Sequence, residues 1–130
     1  MSLAPYKFTN FDHSVKTLCV ALARDWRSND MYRDSVIRRF KLSLNSCLTF
    51  FHAYLTVNAI DIIYPKDIFR NIFMFGYISE REAELCLGMI DEQKLLPLAY
   101  EEDLAAQISD RIVEYQPVLA KLAAKAQELA

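Results

Sequence analysis

Residues 32–55 read as one long helix whose apolar character extends nearly all the way round, and residues 42–60 hold no Asp, Glu, Lys or Arg. Val36, Ile37, Phe40, Leu44, Cys47, Leu48, Phe51 and Leu55 recur at helical spacing and form a stripe wide enough to be core. Leu42 lies on the other face beside Asn45, Thr49 and His52, and Phe50 sits on the flank. A helix of this kind is buried on more than one side, at the centre of a bundle or at a seam with a second subunit. It is not read as a membrane span. Ser43, Asn45, Ser46, Thr49, His52, Thr56 and Asn58 place too many polar groups in it for a lipid-exposed helix.

The rest of the chain fits a small helical protein. With 130 residues, 53% of them hydrophobic, and only two Gly and four Pro, one helix-rich globular domain is expected over residues 1–130. Its core is expected at about residues 9–127, with residues 1–8 flexible. Cys19, Cys47 and Cys86 are odd in number, far apart and without CxxC or Cys/His spacing, which points to buried free thiols in a reducing compartment. No metal site and no cofactor are expected. Residues 1–6 carry no basic stretch followed by an apolar run, so no secretory signal is read and the expected setting is soluble and cytoplasmic.

A net charge of −2 conveys no general attraction to nucleic acid, but its distribution is uneven. Residues 1–41 carry eight Lys/Arg against four Asp/Glu, net +4, whereas residues 79–130 carry five against eleven, net −6. The expectation is that the two ends meet as neighbouring helices; orientation of a partner is the alternative.

Five helices are predicted. Asn10 caps the first, with Phe11, Val15, Leu18 and Leu22 as its stripe. Asn29 or Asp30 caps the second, which ends near Asn58 in a left-handed cap. Pro65 opens a third, with Asp67 near its positive end, Ile68, Phe69, Ile72, Phe73 and Phe75 buried, and Gly76 as its stop. Ser79 and Glu82 form a capping box for a fourth helix ending near Glu92. After a turn containing Pro97, a fifth uses Leu104, Ile108, Ile112, Tyr115, Leu119 and Leu122, with Pro117 inside it. The predicted fold is all-α: an antiparallel four-helix-bundle core with an additional short helix, in a single domain.

Catalytic chemistry is not evident. His13 and His52 are isolated. The carboxylates at Glu80, Glu82 and Glu84, and at Glu101, Glu102 and Asp103, occupy first turns, where the helix dipole favours anions. The basic cluster of Arg33, Arg38, Arg39 and Lys41 spreads over several faces and makes at most a weak phosphate patch. Arg33 falls in line with the apolar stripe and needs a partner carboxylate.

The order of short segments is more telling. Arg33-Asp34-Ser35-Val36-Ile37-Arg38-Arg39-Phe40, Pro65-Lys66-Asp67-Ile68-Phe69-Arg70, Gly76-Tyr77-Ile78, Met89-Ile90-Asp91-Glu92 and Ala99-Tyr100 follow one another between residues 11 and 122. In that order they resemble the nucleotidyltransferase substrate-binding protein family, small HEPN-like helical partners of minimal nucleotidyltransferases.

The resemblance implies a four-helix-bundle core, a homodimer, and a separately encoded nucleotidyltransferase subunit as partner, with a nucleotide or RNA as possible ligand. Some relatives are toxin ribonucleases in toxin–antitoxin-like pairs, silenced by nucleotide addition to a tyrosine. Their signature is an arginine, four residues, a histidine, one residue and that tyrosine. Here those positions hold Gln93, Leu98 and Tyr100. Where relatives carry two glutamates and a tryptophan on the second helix, this chain has Lys41, Asn45 and Leu48. Leu98 cannot exchange a proton and Gln93 has no fixed charge for a phosphate.

A non-catalytic subunit is therefore expected, with no catalytic residues. Arg39, Asp67, Arg70 and Tyr100 match the family, and they are the candidates for ligand or partner binding, expected to converge where the second and third helices end and the fifth begins. Ion pairing and packing at helix junctions is the alternative for these four. The alternative functions are a HEPN-type ribonuclease or its inactive descendant, and a self-associating helical scaffold.

Overall fold

The computed structural model describes residues 4–130, with side chains from residue 7 onward. The expectation of flexibility for residues 1–8 falls partly outside the described residues. Five α-helices follow in order: α1 (Ala4–Leu22), α2 (Asp30–Val57), α3 (Pro65–Met74), α4 (Glu80–Gln93) and α5 (Glu102–Leu129). A single 3₁₀ turn, Leu96–Leu98, lies between α4 and α5, and no strand occurs among the described residues.

Contacts between paired helices run in opposite chain directions, which makes the neighbours antiparallel. From α1 and the residues just after it to α2, the Arg24 guanidinium lies 5.5 Å from the Tyr32 ring centre, Ser14 Oγ is 3.2 Å from Ser46 Oγ, and Phe11 meets Phe51 edge-on at 6.3 Å. From α4 to α5, Glu92 pairs with Arg111 and Glu82 with Lys121 at 2.7 Å. Lys66 of α3 reaches Asp91 of α4 at 2.9 Å. The helices pack as a bundle in which α1, α2 and α5 each contact the other two, α4 packs on α5, and the short α3 packs on α4 and α2.

The long second helix is central, packing against α1, α5 and α3. It buries Val36, Phe40, Leu44, Cys47, Phe50, Phe51 and Leu55, while Asn45, Thr49 and His52 face outward. Phe50 and Phe51 stand edge-to-face at 5.0 Å, and Phe40 stacks on Tyr115 of α5 at 5.6 Å. At the α1–α2 seam small polar residues let the backbones approach. Ser43 Oγ shares its one proton between the Arg39 carbonyl at 2.8 Å and the Ser14 carbonyl at 2.9 Å, so a fully buried hydroxyl keeps a partner.

Several boundaries and burials differ from the sequence reading. Asn10 lies inside α1, because Phe8 also packs against the core and carries the apolar stripe one turn upstream of Phe11. The left-handed residue after α2 is Ala59 (φ 61°), not Asn58 (φ −90°). Phe73 and Phe75 are about two-fifths exposed, since α3 turns only Ile68, Phe69 and Ile72 inward. Phe50 and Phe69 are fully covered within one chain and require no second copy to bury them. Trp26 is buried within the otherwise polar α1–α2 connection, with the Arg27 guanidinium 4.2 Å from its ring centre.

The predicted caps for α2, α3 and α4 are present. Asn29 accepts from the Tyr32 backbone N–H at 3.0 Å, Pro65 opens α3, and Ser79 and Glu82 complete a reciprocal capping box. Gly76 follows α3 with φ 79°. Charge complementarity between the chain ends is narrow. Arg27 pairs with Asp110 at 2.7 Å, while Glu82, Asp91 and Glu92 take their cations from residues 66 onward.

Candidate functional site

Tyr100 sits where a tight backbone leaves it nowhere to pack. The 3₁₀ turn closes with Leu98 N–H on the Leu95 carbonyl and Ala99 N–H on the Leu96 carbonyl; Glu101 N–H then returns to the Leu98 carbonyl. The ring projects beyond this coil with 87% of its surface exposed. Below it lies a cavity of about 490 Å³, walled by Ile37, Arg38 and Lys41 of α2, Gln93 of α4 and the 96–99 turn. Asp34 closes one end. Among the described residues, no carboxylate lies within 4 Å of the charged nitrogens of Arg38 or Lys41, so both cations are available to an incoming anion.

Gln93 forms a shared wall. It lines the Tyr100 cavity and also one of about 550 Å³ between α3 and α4, bordered by Tyr64, Lys66, Asp67, Arg70 and Lys94. Its Nε2 donates to Asn45 Oδ1 of α2 at 2.7 Å. On the α3 side, Arg70 Nη1 donates to Asp67 Oδ1 at 2.7 Å, an exposed pair one helical turn apart. The Lys66 ammonium donates to Asp91 and holds that carboxyl below its usual range, with Lys94 adding to the effect.

Of the four sequence-predicted residues, Asp67, Arg70 and Tyr100 border the two cavities that Gln93 separates. Arg39 does not join them. It lines a third hollow, between α1 and α2, with His13, Lys16, Arg24 and Tyr32. Successive helix residues point about 100° apart, so it is the neighbouring Arg38 and Lys41 that face Tyr100. Arg70 is already paired with Asp67, as the junction reading required.

A buried network below this region is absent from the sequence reading. Glu92 of α4 is only 3% exposed. Arg111 Nη2 donates to Glu92 Oε2 at 2.8 Å, Arg111 Nε donates to Oε1, and the Tyr115 hydroxyl donates to Oε1 at 3.2 Å. Burial, with the nearby Glu92 charge adding to it, pushes the Tyr115 hydroxyl up to about 12. The signal in the sequence was there: Glu92 continues the line of Leu85 and Met89 at helical spacing, as Arg33 continues the stripe of α2. Arg33 does have the carboxylate its position called for, Asp30 at 3.0 Å, and its Nη2 donates to the Arg27 carbonyl at 2.9 Å.

The cysteines are free. Cys47 and Cys86 are buried, whereas Cys19 is exposed, contrary to the expectation of three buried thiols. Burial raises the Cys47 thiol well above its ordinary value and pushes Cys86 up to about 12, which leaves both unreactive. No helix among the described residues is long and apolar enough to cross a membrane.

No curated protein matches the sequence. A crystal structure of a protein from Thermus thermophilus superimposes with a TM-score of 0.82 at 24% identity, covering 90% of this chain and 98% of that one, and shares its fold. The family described as "Nucleotidyltransferase substrate binding protein like" matches residues 6–128. With nearly its whole length matched, this chain belongs to the nucleotidyltransferase substrate-binding protein-like family.

Proposed function

We propose that the chain is the non-catalytic, substrate-binding or partner subunit of a minimal nucleotidyltransferase system, and that it works through the Tyr100 cavity. The observation that carries this reading is a tyrosine 87% exposed above Arg38 and Lys41, two cations without acidic partners, in a chain of this family. Two adjacent positive groups can hold a phosphate or a carboxylate of the partner, and the phenol ring can stack on a base. Gln93 and Asn45, bonded to each other, form a neutral wall, and Leu98 offers no proton chemistry. That favours binding over the rival ribonuclease reading, and the cationic cavity distinguishes it from a bare scaffold. A cytoplasmic homodimer is the form proposed. Met74, Phe73 and Phe75 at the end of α3, with Ile63 and Tyr64 before it, supply the exposed apolar surface for a second copy.

The test is reconstitution with a minimal nucleotidyltransferase from the same organism. Titration calorimetry of the two purified proteins should give a complex that Tyr100→Ala, or Arg38→Ala with Lys41→Ala, weakens by about tenfold or more, the loss of one or two charge-assisted contacts. The melting temperatures of these variants should stay close to wild type, because the altered side chains are solvent-facing. Absence of a complex, or a complex indifferent to all three substitutions, overturns the proposal.

A further inference from the structure

We propose that the groove between α1 and α2 is a second, separate binding site, for the phosphate chain of a small phosphorylated ligand. The groove has a volume of about 470 Å³, and its charged lining is wholly basic: Lys16 and Arg24 from the α1 side, Arg39 from α2, with His13 at the edge. No Asp or Glu lines it. Lys16 is engaged by Asp12 at 2.7 Å, but among the described residues neither Arg24 nor Arg39 has a carboxylate within 4 Å. Arg39 is half-buried in the wall of this groove.

Apart from Asp12, which holds Lys16, the acids of the N-terminal third are committed elsewhere. Asp30 pairs with Arg33, Asp25 accepts from Ser28, and Asp34 faces the Tyr100 cavity. Arg24 and Arg39 at this groove, and Arg38 and Lys41 at the Tyr100 cavity, are thereby left without a carboxylate, and the two hollows lie on different faces of α2. Tyr32 positions one of the two arginines, with the Arg24 guanidinium 5.5 Å from its ring centre. The groove walls are tied together by Ser43, whose hydroxyl reaches backbone carbonyls of both helices, one of them that of Arg39 itself. Two guanidinium forks facing one hollow favour phosphate oxygens, which they can take two at a time. The volume exceeds a single phosphate and falls in the range of small-molecule sites, so a di- or triphosphate is the better fit.

The full chain is titrated calorimetrically with three probes, tripolyphosphate, ATP and AMP, at low and at physiological salt. Tripolyphosphate and ATP should bind more tightly than AMP, and added salt should weaken both. Arg39→Gln and Arg24→Gln should each reduce their affinity by about tenfold, while Arg81→Gln, the same charge change on exposed α4, should not. Equal binding of tripolyphosphate and ATP supports a site for the phosphate chain alone; tighter ATP binding supports a nucleotide resting on Tyr32. Absence of binding by either probe overturns the proposal. So does binding that survives both arginine substitutions, and binding lost in Tyr100→Ala but retained in Arg39→Gln would assign the ligand to the other cavity. Thermal melts of each variant verify the fold, and two independent arginines keep the test valid if one variant does not fold.

Discussion

Arg111 of α5 closes both oxygens of the Glu92 carboxylate in a fork, and the two side chains live in different surroundings. The Glu92 side chain is 2% exposed, whereas that of Arg111 is 40% exposed. The carboxylate depends on its partner for solvation, while the guanidinium can return to water. Tyr115, donating to the same carboxylate while stacking on Phe40, links this pair to the core of α2.

The two halves of that pair should therefore respond differently to removal. Arg111→Ala strands a buried carboxylate and should destabilise the fold by about 3 kcal/mol, the usual cost of breaking such a pair from one side. Glu92→Leu leaves an arginine able to rehydrate and should cost clearly less. Urea unfolding of both variants measures the difference, and equal losses would show that the burial asymmetry carries no energetic weight.

Helices α2 and α3 end in the same hydrogen-bonding motif, with different residues in the left-handed position. Ile60 N–H reaches the Leu55 carbonyl at 2.9 Å and Ala59 N–H the Thr56 carbonyl at 3.0 Å; Tyr77 N–H and Gly76 N–H do the same to Ile72 and Phe73 at 3.2 and 2.9 Å. Ala59 bears a Cβ at φ 61°, where an L-residue is strained. Ala59→Gly should raise stability by about 1 kcal/mol, and Gly76→Ala should lower it by about the same amount. The latter cost is conformational, since a Cβ at Gly76 meets no atom within 4 Å. Paired denaturation curves read both signs.

Acid should weaken the start of α4. Lys121, donating at 2.7 Å, and the Ser79 backbone N–H, at 2.8 Å, hold the Glu82 carboxyl below its ordinary value of 4.5. The folded value lies below the unfolded one, so this contribution is complete above the unfolded value and disappears as pH falls through the folded value. Glu82→Gln can keep the cap bond through its amide oxygen but loses the charge facing Lys121, and should cost up to about 1 kcal/mol at neutral pH, the range of a largely exposed ion pair. The gap to wild type should close progressively as pH falls below 4.5 and through the lower folded value. A gap of constant size down to about pH 2 would locate the loss in packing instead of charge.

Purified wild-type protein should leave RNA intact without added metal. Gln93 is engaged with Asn45 and bears no charge, and Leu98 is an exposed hydrocarbon, so neither supplies an acid, a base or a fixed cation. Denaturing gels of a labelled RNA incubated with the protein provide the measurement. Cleavage that disappears on substitution within residues 93–100 would overturn this expectation.

The helices themselves were legible because their signals are local. A capping box needs only Ser79 and Glu82 three residues apart, and an apolar stripe such as Phe11–Val15–Leu18 repeats within a few turns. The centrality of α2 followed from its own circumference. Other assignments failed where the deciding contact was distant or fell one residue away. Phe73 looked like core by spacing, but α3 is short and packs mainly on α4 and α2, which leave that face uncovered. Asn58 is the better left-handed residue by type, yet the length of α2 places that conformation at Ala59.

For the candidate site, the sequence by itself determined the inventory: an excess of cations in the first third, a tyrosine after a proline turn, and an uncharged residue at positions 93 and 98. It also determined that Arg38 and Arg39 leave the helix in different directions. Only the tertiary structure decided what each direction meets. Arg38 and Lys41 share a cavity with Tyr100 because the turn after α4 passes over α2, and Arg39 shares a groove with Arg24 because α1 runs antiparallel beside α2. Helical periodicity is a property of neighbouring residues, whereas the pairing of residues 39 and 24, or 92 and 111, depends on how separate helices pack, and local spacing carries no record of that.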